Sequence, residues 1–182
     1  MRHGAPARTK KAFRPAAGRS IRSAPDRKWV TDVKYVRTTA GWLYLAPVLD
    51  LFSRRIVGCA MSTVQDGDLS VAALASAMRA RGSPHGVLVH SDGGGIYGDE
   101  DYLKKLEEHG VKRSMSRKRN PWENAVIESF FSTLRFELLG RTRFADPDEA
   151  ERGISEWIER FYNLHRRHTM LGSVSPINYE LA

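Results

Sequence analysis

The sequence contains only one cysteine and has no hydrophobic run long enough to cross a membrane. Cys59 has no second cysteine for an intramolecular disulfide, and one thiolate cannot build a metal site alone, so a reducing cytosol is the expected setting. No apolar stretch approaches the ~18 to 20 residues of a membrane helix, and the charged N-terminus lacks an apolar signal segment. These absences predict a cytoplasmic protein that does not associate with membranes.

Positive charge is concentrated at the N-terminus. Residues 1–28 contain nine Lys or Arg side chains and a single acid, Asp26, whereas the rest of the chain holds 20 basic and 20 acidic side chains. Residues 1–27 are rich in Ala, Gly, Pro and Ser and have no helical or strand periodicity, which predicts a disordered basic arm. Such an arm attracts a polyanion without reading its sequence, and a solvated tail is the equally supported alternative.

Residues 28–182 have the patterns of one compact domain with a C-terminal helical extension. Three β-branched and aromatic runs predict an antiparallel meander, namely WVTDVKYV, WLYLAPVLDLF and RRIVGCAM. The apolar run GVLVHSD predicts a buried strand, and VKRSMS predicts a fifth strand. Helices are predicted over DLSVAALASAMRARG, around DEDYLKKLEEHG and over later segments. This order predicts an α/β fold with a mixed five-stranded sheet and helices on both faces.

Capping residues mark where two of the predicted helices begin and end. Asp68 is predicted to cap the first helix, and Gly82 to end it. A later helix is predicted to begin at Asp146, Pro147 and Glu149. Its predicted buried face comprises Ala150, Ile154, Trp157, Ile158 and Phe161.

The helix that contains Glu128 is predicted to be capped by Asn120, with Pro121 in its first position and Glu123 bonding back to the cap. At ~100° per residue, its apolar stripe comprises Ile127, Phe130, Phe131, Leu134 and Leu138. A bordering polar stripe comprises Asn124, Glu128, Ser132 and Arg135. Glu128 is therefore predicted to lie at the edge of the buried face, where its side chain can point along the sheet rather than out into water, whereas Glu123 has a capping role.

Three acids occur in contexts that favour a chemical role. Asp32 lies within a strand-like run, Asp92 ends another, and 35 residues separate Asp92 from Glu128. Taken singly, Asp32 could equally be a surface strand residue, and Asp92 a turn residue before three glycines. Three carboxylates from separate elements are sufficient to hold two Mg²⁺ ions about 4 Å apart, as phosphodiester chemistry requires. We therefore hypothesise that the three acids meet and bind divalent metal over a nucleic-acid phosphate.

Asp50 is a competing acid. Its place in the segment DLFSRR is typical of a turn, in which its carboxylate would pair with Arg54 or Arg55. The sequence therefore favours a structural role for Asp50.

From Trp29 onwards, the chain resembles the catalytic domain of bacterial insertion-sequence transposases whose core is similar to retroviral integrase. The matching runs are WVTDVKYV, GWLYLAPVLDLFSRRIVGCAMS, HSDGGGIYG, SMSRKRNPWENAVIESFFSTLRFELL and WIERFYNLHRRHTMLGSVSPINYE. The 35-residue spacing between Asp92 and Glu128 is a mark of that family, as is a basic residue seven positions after the glutamate, here Arg135. The resemblance implies a ribonuclease H-like fold and an Asp-Asp-Glu (DDE) triad.

Carried over by position, the resemblance implies that Asp32, Asp92 and Glu128 are the catalytic and metal-binding residues, with Mg²⁺ or Mn²⁺ as cofactor. It implies that Arg135 contacts DNA near the cleaved end, and that Asn124 and a basic run are neighbours of the DNA. This run comprises Lys112, Arg113, Arg117, Lys118 and Arg119. The pairs Tyr162-Asn163 and Arg167-His168 match the closing pattern of the family without an assignable chemical role.

Two departures from the family pattern occur around the triad. Three glycines follow Asp92 where relatives have a bulkier polar residue and Ser, and Arg119 with Pro121-Trp122 replaces a Gly and Cys-aromatic pattern. Family members also carry a helix-turn-helix region before this domain, and residues 1–28 cannot form one. The resemblance therefore implies a C-terminal fragment, a decayed gene, or a product that relies for targeting on a frameshifted fusion or on a partner, such as a helix-turn-helix protein from an upstream reading frame.

The expected function is that of a DDE transposase catalytic domain, a nucleoid-associated enzyme that acts on element ends and target DNA as a homo-oligomer. Metal-dependent hydrolysis at a strand end would be followed by attack of the freed 3′-hydroxyl on another phosphodiester. The missing recognition region motivates the alternative of a truncated, non-catalytic DNA-binding or dimerising remnant that modulates a full-length transposase. A nuclease on the same fold is a third interpretation.

Overall fold

The computed structural model describes residues 24–91, 104, 106–108, 110–114 and 121–182. Within these residues, the strands are β1 Lys28–Thr31, β2 Lys34–Arg37, β3 Trp42–Asp50, β4 Ile56–Ser62, β5 Leu88–Ser91 and β6 Lys112–Ser114. The helices are α1 Gly67–Ala80, α2 Pro121–Leu134, α3 Pro147–Glu156 and α4 Pro176–Leu181. π-Helical turns extend α2 over Arg135–Leu139 and α3 over Trp157–Tyr162, and residues 104 and 106–108 are also helical. None of the described helices is long and apolar enough to cross a membrane.

β1 and β2 are two segments of one strand, which is interrupted at Asp32 and Val33. Both segments pair antiparallel with β3, and β4 pairs antiparallel with the other edge of β3. β5 pairs parallel with β1, and β6 pairs parallel with β5. Because β1 and β2 count as one strand, the six segments form a mixed five-stranded sheet in the order β4, β3, β1 with β2, β5, β6. The predicted meander and the predicted mixed sheet are both confirmed.

Helices cover both faces of the sheet. Successive residues of a strand point to opposite faces, so neighbouring apolar residues of β1 are buried under different helices. Trp29 of β1 belongs to a buried cluster that contains Leu74 and Met78 of α1. Its neighbour Val30 belongs to a second cluster, which contains Phe130 of α2 and Ile154 of α3. The predicted arrangement of helices on both faces is therefore confirmed.

The cap of α1 is Asp66, and the prediction of Asp68 is wrong. Asp66 has an extended backbone, and its carboxylate accepts a hydrogen bond from the Leu69 N–H at 3.1 Å. Asp68 lies in the first turn, where its negative charge interacts favourably with the positive end of the helix dipole, but it does not cap the helix. Both acids are plausible caps by sequence, and only the backbone distinguishes them. The helix ends as predicted, with Gly82 in the left-handed region at φ +70°.

α2 begins at Pro121 as predicted, while Asn120 and the side chain of Glu123 lie outside the described residues. The predicted apolar stripe is buried or partly buried, comprising Ile127, Phe130, Phe131, Leu134 and Leu138. After Leu134 the backbone becomes π-helical, and the Gly140 N–H donates to the Arg135 carbonyl at 2.7 Å. The α-helical wheel therefore does not give side-chain directions beyond Leu134.

α3 begins as predicted at Asp146. Its carboxylate accepts from the Glu149 N–H at 2.8 Å, and the Glu149 carboxylate accepts from the Ala145 N–H at 2.6 Å. The predicted face is buried except at its end, comprising Ala150, Ile154, Trp157 and Ile158. Phe161 is 42% exposed and Tyr162 is buried in its place, because the π-helical turn rotates the last side chains relative to an α-helix.

The segment after α3 is fastened to the sheet by Asn163. Its side-chain amide accepts from the Ile56 N–H at 3.0 Å and donates to the Ile56 carbonyl at 2.9 Å. His168 packs edge-on against the Tyr162 ring, with 5.1 Å between centroids. Burial and two nearby arginines lower the pKa of His168 to about 4, so its ring is neutral at pH 7. Three residues of the closing sequence pattern therefore have structural contacts.

Candidate active site

Asp32 lies at the interruption between β1 and β2. The preceding residue, Thr31, is the last to pair, opposite Val48 of β3 and Ser91 of β5. The Asp32 side chain is 17% exposed, and its Oδ1 accepts a hydrogen bond from the Val33 N–H at 2.9 Å. The sequence placed Asp32 inside a regular strand, whereas the break in pairing leaves a partly buried, accessible carboxylate directly after the end of β1.

Lys34 connects Asp32 to the helix that contains Glu128. Its Nζ lies 3.1 Å from Asp32 Oδ2 and 5.9 Å from the centre of the Phe131 ring. Phe131 follows Glu128 by three residues, about one turn along α2. The Lys34 side chain is 51% exposed, so the pair adds little to stability. Its main consequence is to place a positive charge against Asp32, close to α2.

Glu128 follows the buried Ile127 on α2, at the edge of the apolar stripe, but it is exposed, whereas the sequence predicted a side chain that points along the sheet rather than out into water. One turn earlier, Asn124 Oδ1 lies 3.1 Å from His90 Nε2. His90 is only 4% exposed. Because an amide oxygen accepts, Nε2 is the donor in this contact. The bond connects α2 to β5, the strand that leads towards Asp92.

Asp92 lies outside the described residues, which end at Ser91 in this part of the chain. Asp32 and Glu128 are carboxylates from two separate elements, and oxygen ligands of this kind suit Mg²⁺ or Mn²⁺. No three His, Cys, Asp or Glu side chains form a metal-binding group among the described residues. Two of the three predicted ligands are thus in the described part, and their chemistry fits a divalent metal.

The predicted DNA contacts do not all lie near these acids. Arg135 is exposed just after α2. Lys112 is exposed, but it pairs with Leu88, the first residue of β5. At ~3.3 Å per residue, that level is roughly 10 Å from the level of Ser91, the last residue of β5. Arg113 lies on β6 and its side chain is outside the described residues, as are three whole residues, Arg117, Lys118 and Arg119.

The competing acid, Asp50, is confirmed as structural. Its Oδ2 accepts from the Asp26 N–H at 2.7 Å and the Trp29 indole N–H at 3.2 Å. Its Oδ1 accepts from the N–H groups of Phe52 at 2.7 Å and Ser53 at 3.1 Å. Burial raises the pKa of Asp50 above its ordinary value, although these N–H donors oppose the shift.

Of the two arginines predicted as partners of Asp50, Arg54 and Arg55, the second pairs instead with Glu180 at 2.8 Å. A partner that is 125 residues away cannot be recognised from the local sequence. Burial, assisted by Glu151 and Glu159, raises the pKa of the single thiol, Cys59, to about 12, which keeps it protonated and poorly nucleophilic at pH 7.

Sequence reasoning missed two residues of this site, Lys34 and His90. Lys34 follows Asp32 by two residues, a spacing that in a strand places opposite charges on one face. His90 interrupts the apolar run of β5, which is a visible signal for a buried polar contact. Neither signal identifies the partner, because Phe131 and Asn124 are far away in the sequence.

Comparison of the sequence with protein families and curated proteins gives consistent matches. The profile described as Integrase core domain matches residues 22–121, and a second profile with that description matches residues 109–176. The 31 kDa protein of insertion element IS600 from Shigella sonnei is 46% identical over 154 residues, 85% of this chain and 57% of that protein. Transposase InsF for insertion sequence IS3A from Escherichia coli K12 is 40% identical over 158 residues, 87% and 55% of the respective chains. The chain spans about half the length of these relatives.

Solved structures share the fold at low sequence identity. The HTLV-2 integrase catalytic core domain in complex with magnesium superimposes with a TM-score of 0.62 at 12% identity, covering 88% of this chain and 99% of that one. The catalytic domain of Mos1 mariner transposase gives a TM-score of 0.56 at 13% identity, covering 73% and 70%. These catalytic cores have the ribonuclease H-like fold that the sequence resemblance implied. With this sheet order, helices on both faces, and a profile match over residues 22–121, the chain belongs to the integrase core domain family.

Proposed function

We propose that the chain is the catalytic core of a DDE transposase, which cleaves a DNA strand and transfers its end to another DNA. The observation that carries the proposal is the placement of Asp32 at a strand break beside α2, the helix on which Glu128 is exposed. The register of β1 with β5 supports the third ligand, because Asp32 and Asp92 each follow the last paired residues, Thr31 and Ser91.

Asp32, Asp92 and Glu128 would hold the divalent metal, for which we propose two Mg²⁺ or Mn²⁺ ions when DNA is bound. When bound, the metal supplies activation of the attacking oxygen and charge relief for the leaving oxygen. The chain itself supplies position: the hydrogen bond between His90 and Asn124 holds α2 against β5. The Lys34 ammonium balances the negative charge of the Asp32 carboxylate, and a divalent cation would compete with Lys34 for this carboxylate.

The relatives support DNA as the substrate. InsF is named a transposase of an insertion sequence. The HTLV-2 core was solved with magnesium, which supports the choice of metal. A simian T-cell lymphotropic virus intasome also shares the fold, with a TM-score of 0.69 at 13% identity over 87% of this chain and 55% of that one. We propose assembly as a homo-oligomer on DNA in the nucleoid and targeting by a helix-turn-helix partner. Residues 1–27 would act as a basic arm that strengthens DNA binding.

The test is cleavage and joining of a duplex that carries the terminal repeat of the parent element, with Mg²⁺ or Mn²⁺ present. Asp32→Asn, Asp92→Asn and Glu128→Gln should each lower the rate more than roughly 100-fold, the loss typical of removing one electrostatic stabiliser. Glu151→Gln, which changes an exposed glutamate of α3, serves as the matched control and should retain activity.

Activity that is unchanged in Asp92→Asn or Glu128→Gln would contradict the proposal. If no metal supports cleavage while salt-sensitive DNA binding persists, and the binding depends on residues 1–27, the result would instead support the non-catalytic remnant.

A further inference from the structure

A basic cavity lies at the far end of α2 from the candidate active site. Its volume is about 470 Å³, and it opens between the β2–β3 turn and the segment that follows the π-helical turn. The side chains that matter are those of Arg37, Thr39, Thr142, Arg143 and Phe144. We propose that this cavity binds a backbone phosphate of the DNA duplex, away from the reacting phosphate.

Hydrogen bonds between the two walls hold the cavity in shape. The backbone N–H and the hydroxyl of Thr39 both donate to the Phe144 carbonyl, at 3.0 and 3.3 Å, and the Ala40 N–H donates to the Ala145 carbonyl at 2.9 Å. Within the β2–β3 turn, the Thr38 hydroxyl donates to the Gly41 carbonyl at 2.9 Å and accepts from the Gly41 N–H at 3.0 Å. These bonds order the cavity before any ligand arrives, which reduces the entropy lost on binding.

The charge of the cavity selects an anion. Arg37 and Arg143 are exposed, and neither forms an ion pair within the described ranges of the chain. No Asp or Glu is among the residues that line the cavity. The guanidinium carbon of Arg37 lies 5.8 Å from the centre of the Trp42 ring, a contact that limits the directions of its side chain. A planar guanidinium can bind two phosphate oxygens at once, and the exposed Thr142 adds a hydroxyl.

The position of the cavity favours DNA over a small free anion. Leu139, which also lines the cavity, follows Glu128 by eleven residues, at most roughly 16 Å along the helix axis, because the π-helical turn rises less per residue than an α-helix. Exposed Arg135 lies between them on the same helical segment. At 3.4 Å per base pair, ~16 Å corresponds to about five base pairs. A duplex that runs along α2 with its reacting phosphate at Glu128 would thus bring a flanking phosphate to the cavity, an inference that rests on the proposed function.

The test measures duplex binding by the full chain as a function of salt concentration, with catalysis recorded separately. The variant Arg37→Gln/Arg143→Gln should reduce the slope of log affinity against log salt by about one for each phosphate that the variant no longer neutralises. The matched control, Arg79→Gln/Arg152→Gln, removes the same charge from exposed positions on α1 and α3 and should leave the slope near that of the unmodified protein. Equal slopes in the two double variants would overturn the proposal.

Duplex length provides a second measurement. The unmodified protein should bind more tightly when the duplex extends beyond about five base pairs from the reacting phosphate, and the Arg37→Gln/Arg143→Gln variant should not respond to this extension. Thermal unfolding with inorganic phosphate is compared in the unmodified protein and in Arg37→Gln/Arg143→Gln. Equal protection of the two proteins by phosphate, together with equal duplex binding, would contradict a DNA site here. A chain that binds as expected but cleaves nothing would contradict the proposed function alone.

Discussion

Single side chains connect the parts of the candidate active site. His90 lies on β5 two residues before Asp92, and Asn124 lies on α2 one turn before Glu128. Their hydrogen bond is partly buried, and His90 itself is only 4% exposed, which limits the access of water to the bond. Asn124 was predicted to be a neighbour of DNA, and that role stays a prediction. The structure adds a second role, in which Asn124 positions the helix of one acid against the strand that leads to another.

Asn124→Ala is expected to weaken metal binding without removing a metal ligand. The loss of the bond to His90 frees α2 to move relative to β5, and the Mn²⁺ affinity, measured by calorimetry, should fall roughly tenfold, as for other supports of metal ligands. Asn124→Asp retains an acceptor oxygen and should recover part of the affinity. Asn178→Ala, at an exposed position of α4, is the control. Identical Mn²⁺ affinities in Asn124→Ala and Asn178→Ala would rule out this role.

Between elements, β4 and α1 approach each other closely at Gly58. A Cβ added to Gly58 would lie 2.6 Å from the Ala77 Cα, which is closer than real Cβ atoms come to backbone atoms. Glycine is therefore required at position 58 for the helix to pack on the sheet. The π-helical turns act at the same scale, because they rotate Phe161 outward and bring Tyr162 into the core.

Gly58→Ala should lower the free energy of unfolding by about 3 kcal/mol, the upper part of the range for overpacking, as measured by urea denaturation. Adding Ala77→Gly should not restore stability, since the clash is with backbone atoms. Gly86→Ala is the control: it meets open space at φ +74° and should cost only about 1 kcal/mol through backbone strain. Equal losses in Gly58→Ala and Gly86→Ala would contradict the packing argument.

Across the whole molecule, a polar cluster joins the two ends of the folded domain. Arg81, at the end of α1, binds the Asp26 carboxylate at 2.7 Å and the Glu180 carboxylate at 2.9 Å. Glu180 on α4 also accepts from Arg55 at 2.8 Å and from the Ser53 hydroxyl at 2.7 Å. Asp26 is thus part of the folded domain, although the sequence assigned it to the basic arm. The division into arm and core stays a prediction, because residues 1–23 lie outside the described residues.

Glu180→Gln should lower the free energy of unfolding by about 2 kcal/mol at pH 7, less than the ~3 to 5 kcal/mol of a fully buried pair. Burial raises the pKa of Glu180, but hydrogen bonds from Ser53, Arg55 and Arg81 outweigh it, and the net shift is downward. The ionised carboxylate therefore stabilises the fold above its ordinary pKa of 4.5, and this contribution disappears as the pH falls through the lower folded pKa.

The difference between the unmodified protein and Glu180→Gln should accordingly narrow in urea denaturation series carried to acidic pH. Glu156→Gln provides the control, because its pair with Arg160 is exposed on both sides and should contribute less than ~0.5 kcal/mol. A pH-independent difference for Glu180→Gln would contradict the assignment of the effect to its ionised carboxylate.

The sequence alone predicted the order of the strands and of α1, α2 and α3, because strand and helix periodicity are local properties that neighbouring residues encode. It also predicted the cap at Asp146 and the stop at Gly82, which depend on a few adjacent residues. Tertiary structure decided which cap begins α1, how the π-helical turns direct their side chains, and which residues meet across the fold. The pairs His90 with Asn124, Arg55 with Glu180, and Thr39 with Phe144 are 34, 125 and 105 residues apart. Contacts at such separations depend on how the elements pack, and no local pattern specifies them.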